Sequence, residues 1–266
     1  MSERVSTVIR GPIAYVTMTR GDKFNGLDLD MFHALVAAAK RIKRDRDVRV
    51  VILQGEGPAF CAGLDFASAG KQPLKFALNF FRAPGRATNL YQQVCWAWRE
   101  LPVPVIAVVH GRCYGGGLQL ALGADFRFTT PDCEFSIMEA KWGLVPDMTG
   151  SVTLRELVGM DVAMRLTMTG ETFSGERAVE LGLATEASDT PLKAAEAFAE
   201  ELAARSPDAI AATKALFQRT RHLSPRAAFR VESRWQRRLL RGKNHKIARA
   251  AGKTKEAPQY VPRSLR

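Results

Sequence analysis

The chain has 266 residues, of which 46% are hydrophobic and 25% are charged, and this composition excludes an intrinsically disordered protein. No run of apolar residues approaches the roughly 20 that a membrane span requires. The first residues, Met1-Ser2-Glu3, do not show the pattern of a secretory signal. We therefore expect a cytoplasmic protein with one large domain and no membrane partner.

The few potential metal ligands argue against a metal site. Four cysteines, Cys61, Cys95, Cys113 and Cys133, lie far apart, and the chain has only four histidines. This spacing favours reduced, buried thiols over a disulfide framework or a zinc site. We expect no bound metal.

The net charge of +12 comes largely from the C-terminal part of the chain, where arginine and lysine recur from Arg219 to Lys255. A solvated helix face, a binding site for anionic small ligands, and a surface for nucleic acid all fit this pattern.

The first third of the chain predicts a hairpin, a helix and a strand. Val5–Arg10 and residues 14–19 flank a Gly-Pro turn at 11–12. Asp28 is placed to cap a helix whose apolar positions share one face. Residues 48–53 form an apolar run that is typical of a strand buried on both sides.

The later part predicts a second buried strand at 103–109, a short helix at 118–122 and short strands at 125–129 and 134–137. From Thr149 onward the pattern is helical throughout, with breaks at Gly159, Gly170, Gly182, 206–207 and 224–225. Strands early and helices late predict an α/β core followed by a helical segment, unlike a TIM barrel or a simple Rossmann fold.

Two glycine-containing turns follow the two buried strands. Residues 57–66 read G-P-A-F-C-A-G-L-D-F, where Gly63 permits a sharp turn with outward N–H groups and Asp65 is also placed to cap a helix. Residues 110–119 read H-G-R-C-Y-G-G-G-L-Q. Three glycines before a helix indicate close approach to the main chain, either by tight packing or by a ligand oxyanion.

Taken together, these motifs resemble the enoyl-CoA hydratase/isomerase (crotonase) superfamily. The resemblance continues through F-S-I-M-E at 135–139, G-L-V-P at 143–146 and L-T-M-T-G at 166–170. It implies an α/β spiral of ββα turns, with a crotonase-like core domain at 1–205. A basic helical segment at 206–266 would mediate trimers that often stack into hexamers.

The resemblance also assigns a substrate and its contacts. It implies an acyl-CoA substrate whose thioester carbonyl is held by an oxyanion hole made of the Leu64 and Gly116 amides. Coenzyme A would arrive as part of the substrate, with no permanently bound cofactor. Its contacts would include Lys23, Phe24, Ala62, Gly63, Asp65 and Phe66.

In this family, the side chains at two positions decide which reaction is catalysed. Hydratases of this family use two glutamates, of which one matches Glu139 and the other falls on Gln119. A glutamine amide holds a water or a loop but transfers no proton near neutral pH. The pattern therefore favours an isomerase, in which Glu139 alone moves a proton between C2 and C4 of a 3-enoyl-CoA, over an ordinary hydratase.

Asp147 has several possible roles. Dienoyl-CoA isomerases carry a proton-transferring aspartate at the matching position, and 4-chlorobenzoyl-CoA dehalogenases carry a nucleophilic one. We expect Asp147 to assist Glu139, although it is also placed to cap a helix near Thr149. The alternatives are a hydrolase or dehalogenase with Asp147 as nucleophile, or a non-catalytic protein that binds acyl-CoA or RNA. Aromatic residues within 71–99 are expected to cover the acyl group.

Overall fold

The structure, a computed structural model, describes residues 4–265 of the chain. The predicted hairpin is confirmed, since strand β1 (Val5–Arg10) pairs antiparallel with β2 (Ile13–Met18). Helix α1 (Leu29–Arg44) begins after Asp28, whose carboxylate accepts a 2.8 Å hydrogen bond from the N–H of Met31. The predicted cap of α1 is therefore present.

Two sheets alternate along the chain. The larger sheet has the order β1-β2-β3-β4-β6-β9 and is parallel except for β1. The smaller has the order β5-β7-β8. The remaining strands are β3 (Val50–Gly55), β4 (Val105–Val109), β5 (Arg112–Tyr114), β6 (Phe126–Thr129), β7 (Glu134–Ser136), β8 (Thr172–Phe173) and β9 (Glu186–Ala187).

The order of these strands gives the spiral of ββα turns that the resemblance implies. After β4 the chain passes through β5 of the smaller sheet and into helix α5 (Gly116–Leu122) before it returns to the larger sheet at β6. Strands β8 and β9 correct the expectation of continuous helix after Thr149. Each has two residues and pairs only at a sheet edge, so neither has an alternating pattern of its own.

The other helices cover both faces of the larger sheet. One face packs against α1, α4 and α5, and the other packs against α9. Coverage on both sides explains why β4 and the first four residues of β3 are continuous apolar runs. The helices between β3 and the C-terminal segment, apart from α5, are α2 (Phe66–Lys71), α3 (Pro73–Leu78), α4 (Leu90–Arg99), α6 (Gly150–Leu157), α7 (Met160–Thr169), α8 (Gly175–Glu180) and α9 (Pro191–Ala203).

Three C-terminal helices follow, α10 (Pro207–Thr220), α11 (Pro225–Leu240) and α12 (Lys243–Thr254). Helices α10 and α11 share a small apolar cluster that includes Trp235 and is completed by Leu265 of the C-terminal tail. Helix α10 is also attached to the core, because Lys214 forms a 2.6 Å ion pair with Asp125. The division at residue 205 stays a prediction. Within 4–265, no helix combines the length and apolar character needed to cross a membrane.

Candidate active site

The first glycine turn leaves one amide free. Gly63 has a φ of +90°, and a Cβ there would lie 2.8 Å from the carbonyl oxygen of Tyr114, so both conformation and space require glycine. Leu27 donates to the carbonyl of Gly63, and Asp65 donates to the carbonyl of Leu27. Between these bonds the N–H of Leu64 has no acceptor in the described chain.

The second turn supplies a neighbouring free amide. Gly116 is the first residue of α5, and no acceptor for its N–H is found among residues 4–265. A Cβ on Gly63 would lie 3.6 Å from the Gly116 nitrogen, which brings the two turns together. Gly117 packs so closely on Cys61 that a Cβ would collide with its carbonyl oxygen. Tight packing and a free amide therefore coexist in one glycine run.

Glu139 lies beside these amides. It belongs to a 3-10 helix, Met138–Trp142, that follows β7, and its Oε1 lies 3.4 Å from where a Cβ on Gly115 would be. Oε1 accepts a 2.6 Å hydrogen bond from Nε2 of Gln119, whereas Oε2 is buried without a hydrogen-bond partner in the described chain. The residue is 9% exposed, so it is not a solvated strand-end residue.

The electrostatic environment of Glu139 favours its protonated form. Burial raises its pKa, and the negative charge of Asp147 raises it further. Hydrogen bonds from its own backbone and from Gln119 act in the opposite direction without cancelling the shift. A carboxyl group with a raised pKa is suited to taking and returning a proton near neutral pH.

Gln119 is held in one orientation. Its Oε1 accepts hydrogen bonds from the backbone N–H groups of Met148 (2.8 Å) and Gly150 (2.9 Å), which requires its Nε2 to face Glu139. The side chain is 1% exposed. Gln119 therefore both binds the 148–150 segment, as one interpretation of the sequence held, and contacts the candidate catalytic carboxylate.

Asp147 lies at the exposed edge of the same cleft. Partial burial raises its pKa, and its charge contributes to raising the pKa of Tyr91, mainly a burial effect, to about 12. Helix α6 begins after Thr149, and no side chain caps it. The interpretation of Asp147 as the cap of this helix is therefore wrong, and its charge instead acts on the pKa values of Glu139 and Tyr91.

The candidate coenzyme A contacts also lie together. Phe24 follows a 3-10 helix, Gly21–Lys23, and its carbonyl accepts a 2.9 Å hydrogen bond from the N–H of Ala62. The guanidinium of Arg112 lies 5.0 Å from the centre of the Phe24 ring. The ring of Phe66 lies 4.7 Å from that of Trp142 and is largely exposed.

The carboxylate of Asp65 is occupied by contacts within the chain. It caps α2 through the N–H of Ser68 and forms a 2.8 Å ion pair with Arg20. Burial by itself raises the pKa of Asp65, but hydrogen bonds from Ser68 and Arg20 and the charge of Arg20 lower it to about 2. Only the backbone of Asp65 is therefore available to a ligand, and the capping interpretation of its side chain is confirmed.

Asn25 is a residue that sequence reasoning missed. It is buried with a φ of +54°, and its side chain donates to the carbonyls of Glu56 and Ala59 while accepting from the N–H of Arg20. These bonds join the 20–27 segment to the first glycine turn. The Asn-Gly dipeptide at 25–26 was the available signal, because Asn and Gly tolerate positive φ.

Large apolar side chains are exposed on two segments near the site in sequence. Leu74, Leu78, Phe80 and Phe81 lie on α3 and just after it, and Trp142, Leu144 and Val145 follow Glu139. Trp98, one of the aromatic residues expected to cover an acyl group, is instead fully buried in the core.

Comparison with known proteins agrees with this geometry. The sequence profile described as Enoyl-CoA hydratase/isomerase matches residues 9–261. The chain belongs to the enoyl-CoA hydratase/isomerase family.

Individual members of this family show how far the similarity extends. The chain is 29% identical to a peroxisomal Delta(3,5)-Delta(2,4)-dienoyl-CoA isomerase of Arabidopsis thaliana, over 94% of this chain and 92% of that protein. It is 32% identical to a carnitinyl-CoA dehydratase of Salmonella typhi, with 86% of each chain covered. The crystal structure of an enoyl-CoA hydratase from Polaromonas sp. JS666 matches with a TM-score of 0.86 at 27% identity, over 97% of this chain and 99% of the other.

Proposed function

We propose that this protein is an enoyl-CoA isomerase that moves a carbon–carbon double bond of a 3-enoyl thioester, with Glu139 as its single acid/base. One observation carries the proposal. Glu139 has one oxygen bound to Gln119 and the other buried without a partner in the described chain, beside two amides that lack acceptors.

The reaction follows from this arrangement. The Leu64 and Gly116 amides donate to the thioester oxygen, and Oε2 of Glu139 takes a proton from C2 of the substrate. The electron pair of the C2–H bond forms an enolate whose negative charge the two amides stabilise. As the enolate collapses, the double bond moves from C3–C4 to C2–C3, and Glu139 returns its proton to C4. Glu139 ends ionised, so one carboxylate completes the cycle.

Hydration is less well supported because the second proton-transferring group is absent. The oxygen of Gln119 accepts two backbone N–H bonds and its amide donates to Glu139, so it has no acceptor capacity left to orient a water. The similar protein from Arabidopsis is by name an isomerase, and that from Salmonella is a dehydratase. Sequence similarity therefore does not choose between the two reactions, and the choice is argued from the residues of the site.

A second candidate is the isomerisation of a 3,5-dienoyl-CoA, with Asp147 as an additional proton-transfer group. The observation that favours it is the electrostatic coupling of Asp147 to Glu139 and Tyr91 at the mouth of the cleft. A longer conjugated substrate would place its distal carbons nearer to Asp147. This role extends the Glu139 mechanism and does not replace it.

We also propose a trimer, or a hexamer made of two trimers. Support comes from the C-terminal helices, which expose the large aromatic side chains of Phe217 (71%) and Phe229 (61%). Large exposed aromatic side chains on neighbouring helices are typical of subunit interfaces. Light scattering at micromolar concentration tests this, and a monomer would contradict it.

The function is tested by offering the purified protein 2-enoyl, 3-enoyl and 3,5-dienoyl thioesters and measuring double-bond migration and hydration separately. We expect migration with the 3-enoyl or dienoyl substrate and little hydration. In E139Q we expect turnover to fall about 10²–10⁴-fold with acyl-CoA binding nearly unchanged. E186Q, at an exposed position on β9, is the matched control. A fully active E139Q, or a trapped covalent adduct on Asp147, would overturn the mechanism.

A further inference from the structure

A cavity of about 510 Å³ lies between α10 and the core. Leu122 and Gly123, at the C-terminal end of α5, form part of its wall, whereas Gly116 and Gln119 lie toward the other end of that helix. None of the candidate catalytic or coenzyme A-binding residues is among the described residues that line it. The cavity is therefore separate from the proposed active site.

One wall of the cavity contains a buried cation, Arg127, which forms no ion pair in the described chain and feels the charge of Asp125 only at longer range. Arg127 is 4% exposed and donates to the carbonyls of Leu183 (2.5 Å) and Ala124 (2.7 Å). Within residues 4–265, no carboxylate lies at ion-pair distance from its guanidinium. Burial lowers the pKa of Arg127 to about 10, so the group stays charged at neutral pH. A buried charge in this position costs free energy unless an anion approaches it.

Three further cations line the same cavity. Arg99 and Arg221 both pair with one carboxylate, that of Glu156, and Lys214 pairs with Asp125. With Arg127, the cavity wall thus has four cations. In the described chain, two carboxylates, those of Glu156 and Asp125, pair with the other three. The excess positive charge favours an anionic ligand.

Much of the rest of the wall is apolar. Leu122, Phe126, Leu157, Leu202, Ile210 and Phe217 contribute to it. A small inorganic anion would satisfy the arginines but leave these side chains in contact with water, whereas a neutral hydrocarbon would leave Arg127 without a counterion. We propose that this cavity is a second ligand site, which binds an aliphatic carboxylate with its head group at Arg127 and Arg221 and its chain against the apolar wall.

The proposal is tested by equilibrium dialysis of the full-length protein with octanoate, in the presence of saturating octyl-CoA thioether to occupy the proposed active site. We expect saturable octanoate binding, and much weaker binding of acetate, which lacks the chain, and of octan-1-ol, which lacks the charge. Loss of octanoate binding in the presence of the thioether would place the carboxylate in the active site and overturn the proposal.

Two substitutions, each with a matched control, test whether the ligand binds in this cavity. I210W fills the cavity and should abolish octanoate binding, whereas I9W, at an exposed position of β1 outside the cavity, should not. R221Q removes one charge-assisted contact and should weaken binding about tenfold or more. R230Q removes an equal charge outside the cavity and should leave binding unchanged. Equal effects of R221Q and R230Q, or unchanged binding in a folded I210W, would contradict the assignment.

Discussion

The side-chain amide of Gln119 donates a 2.6 Å hydrogen bond to Oε1 of Glu139, and the oxygen of the same amide accepts from two backbone N–H groups. One glutamine thus joins the start of α5, the 3-10 helix that carries the candidate catalytic carboxylate, and the start of α6. Gln119 binds Oε1 of Glu139, and Oε2 has no hydrogen-bond partner in the described chain and is the oxygen that we propose transfers the proton. The proposal that the site favours isomerisation over hydration depends on this relationship.

Replacing Gln119 with glutamate is expected to change the reaction. The new carboxylate would face Oε1 of Glu139 at hydrogen-bond distance, and two such carboxylates cannot both be ionised, so one keeps a proton. A neutral acid beside an ionised base is the pair that hydration requires. We expect Q119E to gain hydration of 2-enoyl-CoA, measured by loss of the conjugated absorbance, and to isomerise more slowly. Q236E on α11 is the control, and an unchanged product ratio in Q119E would contradict the role of Gln119.

We expect Asp147 to change the pKa of Glu139 and not to act as the acid/base in its place. Its negative charge raises the pKa of Glu139, so D147N should move the acid limb of the isomerisation rate profile to lower pH. With a 3-enoyl substrate we expect a smaller loss of turnover than in E139Q. With a 3,5-dienoyl substrate the loss should be larger. An acid limb that does not move in D147N would show that the two carboxyl groups are not coupled.

Glu139 is expected to lower stability at neutral pH. Its folded-state pKa is raised above the unfolded value of about 4.3, so the folded protein binds the proton more tightly, and ionisation at higher pH favours unfolding. E139Q should therefore have a higher melting temperature than the wild type at neutral pH, and the difference should vanish as the pH falls toward 4. A melting temperature lowered by E139Q at neutral pH would contradict this sign.

Two glycines of the second turn, Gly116 and Gly117, should respond differently to replacement by alanine. In G117A the new Cβ would collide with the backbone of Cys61, so we expect a loss of roughly 1–3 kcal/mol in the free energy of unfolding. In G116A it would meet the flexible end of Met148 at 2.8 Å, so the protein should fold but lose turnover as the amide shifts. G70A in α2, where no described atom lies within 4 Å, is the control for both denaturant melts and rates.

The C-terminal tail should depend on Asp208. This buried carboxylate accepts hydrogen bonds from Asn244, from the N–H and hydroxyl of Ser264 and from the N–H of Leu265. D208A should cost roughly 2–4 kcal/mol and increase hydrogen exchange of residues 256–265, whereas D189A, at an exposed position, should not.

The same residue gives a pH dependence of opposite sign to that of Glu139. Burial alone would raise the pKa of Asp208, but the hydrogen bonds from Asn244, Leu265 and Ser264 lower it overall. Its stabilising contribution is thus present above the unfolded value of about 3.9 and is lost as the pH falls through the folded pKa. Protection of the tail that persists in strong acid would contradict this.

Much of the fold could be predicted from the sequence, because some residues are required by the local backbone conformation or by the space around it. Gly63 and Gly115 adopt positive φ, and Gly117 lies where a side chain has no room, so glycine at these positions records a local requirement. Asp28 caps the helix that follows it, and β3 is apolar because both of its faces are covered. Such requirements act over a few residues, and the chain therefore displays them as motifs.

Only the tertiary structure decided how the polar groups pair. Gln119 contacts Glu139, Met148 and Gly150, and no carboxylate among residues 4–265 comes within ion-pair distance of Arg127, because helices and strands far apart in sequence meet at particular distances. The two-residue strands β8 and β9 likewise exist only through the edges they pair with. A hydrogen bond or an ion pair between separate elements depends on their packing and register, and no short stretch of sequence contains that information.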